Sequence, residues 1–187
     1  IGKLQQHVGS VLFVVDDALF TSSVDISGFA NILHATPDAF TAQLKLHPGI
    51  VFSHPAVSAC TRPPLRVHSG PEAPDLCLVF DLRSGSHDWS YPFDLCGGLY
   101  RLEDVKRVLE AARGQIHNPN VFEVAGNKVW RNTQGCRPSR GLCCAKQALV
   151  VVTTNKVQDT FDVPVYTSPQ GELEALNATQ EPLAPRA

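Results

Sequence analysis

Methionine is missing from all 187 residues, and the chain opens on Ile1. That start reads as a processed chain or an excised domain, and a piece cleaved from a polyprotein is an alternative. No basic stretch followed by an apolar one, the mark of a secretory leader, stands at the start. Charge is scarce as well: charged residues make up 18% of the chain, and the formal net charge is only −2. Such a balance excludes a global field that would recruit nucleic acid or an acidic membrane surface. Apolar runs such as Ala148–Val152 fall far short of the roughly twenty residues of a membrane-spanning helix.

Several motifs are absent. There is no Cys-x-x-Cys pair; six residues separate Cys136 from the adjacent Cys143 and Cys144, and none of the seven histidines lies within four residues of a cysteine. A zinc knuckle needs paired ligands at short spacing, so no metal is expected. The Asp-x-Asp-x-Asp-Gly calcium loop is also missing, and nothing indicates a cofactor. Asp75, Asp81, Asp88 and Asp94 recur in one region. Spacing alone does not pair carboxylates for hydrolysis, and these aspartates read as turn caps and solvated strand ends.

Six cysteines, fourteen prolines and an Asn177-Ala-Thr179 glycosylation sequon are present. An even cysteine count with a sequon fits an extracellular or secretory-pathway protein whose Cys60, Cys77, Cys96, Cys136, Cys143 and Cys144 form disulfides. A Cys143–Cys144 bond would strain the peptide between them. Adjacent residues of a strand face opposite ways, so the pair is expected to anchor two separate bridges, one of them to Cys136.

Along the chain, Gly9–Asp16 reads as a strand buried on both faces, Phe20–Ile26 as its partner, and Thr36–Leu46 as a helical turn followed by a strand. Short strands follow at Ile50–Ser53, Leu65–His68 and Leu76–Leu82, punctuated by prolines. Leu102, Val105, Val108, Leu109, Ala112 and Ile116 recur at helical spacing, with Gly114 as a stop. Gly126-Asn127 between two alternating runs signals a hairpin over Val121–Trp130. Further strands are expected at Gln147–Thr154 and Phe161–Tyr166. The fold class is therefore α+β, mostly β: a disulfide-stabilised, sandwich-like antiparallel core with one amphipathic helix. Residues 1–167 form one globular domain and 168–187 a flexible polar tail or stalk.

Two surface features could carry function. Arg131, Arg137, Arg140 and Lys146 cluster around the cysteine loop, where a rigid loop would present them to a carboxylate-rich protein or an acidic glycan. Trp89, Tyr91 and Phe93 alternate and read as core. The expected function is a non-enzymatic extracellular recognition or assembly module, an ectodomain or secreted fragment. The alternative is a cysteine-dependent hydrolase, with Cys96 before Gly97-Gly98 as nucleophile and His87 as its base.

Overall fold

A computed structural model describes residues 9–68, 77–132 and 138–152. In chain order these form β1 (Ser10–Leu12), β2 (Ala18–Phe20), α1 (Ile26–Ala35), β3 (Ala39–Gln43), β4 (Phe52–Ser53), β5 (Ser58–Ala59), β6 (Arg66–Val67) and β7 (Cys77–Asp81). A 3-10 turn at His87–Ser90 leads to β8 (Gly98–Arg101), α2 (Leu102–Ala111), α3 (Pro119–Asn132), β9 (Arg140–Cys144) and β10 (Leu149–Val151). Six strands make one sheet in the order β1-β8-β3-β9-β7-β6. All its neighbours are antiparallel except β3 and β9. β2 and β10 form a separate antiparallel pair, as do β4 and β5.

Alternation along the strands sorts side chains onto two faces. Phe40, Phe80, Tyr100 and Cys143 join Val105 and Val108 of α2 and Phe122 and Trp130 of α3 in one core. Ala39, Ala42, Leu99, Leu142 and Cys144 join Phe29, Ile32 and Leu33 of α1 in the other, closed further by Leu149 of β10. The α+β class is correct, but the sandwich is not: helices cover both faces of the six-stranded sheet, with the short β2–β10 pair packed beside α1.

Among the described residues, three helices stand where one was expected. α2 follows its apolar spacing, and the chain leaves it through Gly114, whose φ of +76° suits glycine. α1 begins at Ile26, the residue expected to end a strand; Asp25 caps it, accepting from the Gly28 N–H at 2.9 Å. At its far end the Arg101 guanidinium donates to the carbonyls of Leu33, Thr36 and Ala39, tying the end of α1 to β8. α3 replaces the expected hairpin over Val121–Trp130. Asn118 accepts from the Val121 N–H at 2.9 Å, and Pro119 occupies the first turn.

The disulfide expectation is corrected for five cysteines: Cys60, Cys77, Cys96, Cys143 and Cys144 are free thiols. The last two do point to opposite sides of β9, but each enters an apolar core rather than a bridge. Cys136, Arg137, the strand expected at Phe161–Tyr166, Asn177 and the 168–187 tail lie outside the described residues.

Candidate functional site

Residues distant in the chain converge where the 91–97 segment passes between the sheet and α3. Three elements hold that segment. From β3, the buried Gln43 amide donates to the carbonyls of Tyr91 and Pro92 at 3.2 and 3.3 Å. From β8, the Tyr100 hydroxyl accepts from the Asp94 N–H at 2.6 Å and lies 2.8 Å from the Asp94 carbonyl. From α3, the Asn127 side chain donates to the Phe93 carbonyl at 2.7 Å and accepts from the Phe93 N–H at 3.2 Å.

On this frame stands a polar cluster of Lys45, Asp88, Tyr91, Asp94, Cys96 and Glu123. Lys45, just beyond β3, pairs with Asp94 and, at 3.1 Å, with Asp88. Asp94 is only 3% exposed, and one of its carboxylate oxygens accepts from the Cys96 N–H at 2.7 Å. Glu123 accepts from the Leu95 N–H at 2.8 Å and from the Tyr91 hydroxyl at 3.5 Å. The carboxyl oxygens of Asp94 and Glu123 and the Cys96 sulfur lie within 4.8 Å of one another. Those three could share a cation, although the Lys45 ammonium already balances Asp94 there.

The charges tune one another. Burial works against the Lys45 ammonium, but Asp94 and Asp88 outweigh it and raise its pKa well above the ordinary value. Burial opposes ionisation of Asp88 too, yet Lys45 brings its pKa below the usual carboxylate range. Glu123 goes the other way: burial, and then Asp94, push its carboxyl up to about 7. Tyr91 is raised by burial and by Glu123. The cluster therefore holds a carboxyl that exchanges its proton near neutrality beside one paired with a fixed cation, the division of labour that acid–base chemistry needs.

The candidates from sequence fall as follows. Cys96 is in the cluster, but burial, and then Asp94, raise its thiol pKa, so the thiolate needed for attack is disfavoured. His87 is exposed at the start of the 3-10 turn, at φ +53°. Arg131 is in the last turn of α3, Arg140 opens β9 and pairs with Asp38 at 3.0 Å, and Lys146 is exposed between β9 and β10. Trp89 and Phe93 are fully buried, as expected of core residues. Lys45 and Glu123 were missed altogether. Apart from the cluster, a groove of about 500 Å³ between α2 and α3 is lined by Ala111, Gln115, Val121, Val124, Lys128 and Asn132 among others. It brings no acid–base pair together.

No family model matches the chain, and no solved structure matches it. Among curated proteins, the bifunctional glycosyltransferase pgtA of Dictyostelium discoideum is 29% identical over 173 residues, a match covering 83% of this chain and 22% of that protein. The chain thus spans about a fifth of that relative's length. This likeness overturns the expected non-enzymatic recognition module. The secreted, disulfide-bonded character assumed with it loses support as well, because the five described cysteines are unpaired. Over most of its length, the chain is similar to one portion of a glycosyltransferase.

Proposed function

We propose that the chain takes part in glycosyl transfer and supplies the group that activates the acceptor. The observation that carries this is the likeness to pgtA over 83% of the chain. The polar cluster supports it with suitable chemistry. In this reading Glu123, whose pKa lies at about 7, accepts the proton of a sugar hydroxyl. The freed oxygen bonds to the anomeric carbon of an activated glycosyl donor, and the bond from that carbon to its leaving group breaks. General-base help of this kind typically contributes 10²–10⁴-fold. Asp94, fixed by Lys45 and the Cys96 N–H, raises the basicity of Glu123.

The test is to incubate the full chain with a panel of nucleotide sugars and mono- and oligosaccharide acceptors, and to detect products by mass. E123Q should lower kcat by about 10²–10⁴-fold with KM little changed, and D94N should lower it less. Equal turnover by E123Q and wild type removes Glu123 from the chemistry. Absence of any transfer across the panel counts against the reading as a whole.

A further inference from the structure

We propose that Asn127 is a positioning residue: its buried side-chain amide fixes the segment bearing Asp94 against the helix bearing Glu123, and so sets how the two carboxyls face each other. The proposal rests on the reading of this cluster as the site of glycosyl transfer, but its geometry is independent of that reading.

Asn127 is 2% exposed, and its amide is fully used. Nδ2 donates to the Phe93 carbonyl at 2.7 Å and to the Glu123 carbonyl at 2.9 Å, while Oδ1 accepts from the Phe93 N–H at 3.2 Å. Toward Phe93 it acts as a neighbouring strand would, exchanging a donor and an acceptor with one residue's backbone. One turn earlier on the same helix, Glu123 grips Leu95 through its backbone N–H at 2.8 Å. The segment is therefore fastened to α3 at residues 93 and 95, and Asp94 is held between the two fastenings. Gly126 completes the seat, because a Cβ there would collide with the Phe93 ring. No other side chain of Asn127's size carries a two-proton donor and a separate carbonyl acceptor without charge. Aspartate loses the donor and adds a second negative charge beside Glu123; leucine loses all three bonds.

The groups acting on Glu123 are Asp94, Lys45 and Tyr91, with the Cys96 sulfur within 4.8 Å. Lys45 comes from the turn after β3 and the other three from the fastened segment. Releasing that segment moves Asp94, Tyr91 and Cys96 away from Glu123 together and admits water.

The experiment is a carboxyl ¹³C NMR titration of Glu123 in the full chain, comparing wild type, N127A and I32A. The last variant truncates the opposite core and reports the effect of lost stability alone. The wild-type midpoint should lie near 7 and that of I32A beside it, with N127A displaced by a unit or more toward the ordinary 4.5. In the transfer assay N127A should lose tenfold or more in kcat with little change in KM. N127S, which keeps a donor, should recover part of both effects, and it supplies the same readout if N127A does not fold. A destabilised N127A or N127S that leaves the Glu123 midpoint at its wild-type value overturns the proposal, as does an ordinary midpoint in the wild type. Failure of the wild type to transfer any sugar counts against the functional reading only, since the titration still decides the role of Asn127.

Discussion

Glu123 holds its proton more tightly in the folded chain than in the unfolded one, and that difference must appear in stability. Its folded pKa of about 7 lies above the ordinary 4.5. Between those values the unfolded chain has released a proton that the folded chain keeps, so this residue makes stability fall as pH rises from about 4.5 to about 7, and the loss persists above that range. Each pKa unit corresponds to about 1.4 kcal/mol; allowing for the partial exposure of the side chain, the whole effect is of order 1–3 kcal/mol. His47 works against it, because burial lowers its pKa and the folded chain there gains stability as pH rises through the histidine range. The difference between E123Q and wild type, rather than either raw curve, isolates Glu123. Urea unfolding at pH 5, 6, 7 and 8 should show E123Q gaining on wild type throughout and surpassing it at pH 8. A difference that does not vary with pH would rule out the raised pKa.

At the scale of elements, the Gly126-Asn127 pair shows how a local signal can be overruled. In sequence it marks a two-residue hairpin turn; in the fold it is the point where α3 docks. Replacing a helix-interior glycine by alanine ordinarily stabilises by up to about 1 kcal/mol. At Gly126 the new methyl would enter the Phe93 ring, which is buried and hemmed in by Phe13, Tyr100 and Phe122. Overpacking of that kind costs about 1–3 kcal/mol, so G126A should be net destabilising in urea; a gain in stability would mean that the ring yields freely. The helix itself was legible at its start, where Asn118-Pro119 gives a cap and a proline at the first position. That signal lost to the more familiar turn dipeptide. Likewise Asp25 before Ile26, Phe29, Ile32 and Leu33 announces α1, but Ser22, Val24 and Ile26 also alternate as a strand would. α2 was read correctly because its apolar spacing had no competitor. The strand segments at Phe52–Ser53, Arg66–Val67, Cys77–Asp81 and Leu149–Val151 fall within the expected runs, though shorter. The polar cluster was not legible: Lys45 follows β3, Asp88 and Asp94 come from an irregular segment, and Glu123 lies on a helix mistaken for a strand. No spacing rule joins them; only the sheet order does.

The whole molecule divides its work between the two faces of one sheet. The α1 face is closed mainly by aliphatic side chains, with Phe29, Cys77 and Cys144, whereas the other face carries the aromatic core and, at its border, the segment with the polar cluster. Cysteine belongs to this division. In a strand buried on both faces, consecutive small apolar residues serve two cores at once, which accounts for Cys143-Cys144 without any bridge. Burial raises Cys144 to about 11, and burial with the neighbouring Cys144 raises Cys77 to about 12. Both therefore stay as unreactive thiols while the chain is folded. Alkylation without reductant should label Cys77, Cys143 and Cys144 only after denaturation, and Cys60 and Cys96, which are half-buried, slowly in the native state. Denatured but unreduced chain should then expose at least these five thiols to mass mapping. A disulfide closing a long loop would contribute about 2–4 kcal/mol, so adding reductant offers a second readout. Because the packing on the two faces, and no bridge among these five cysteines, holds the sheet together, the urea midpoint should be the same with and without reductant. A midpoint that drops on reduction, with fewer than five thiols labelled beforehand, would refute this account.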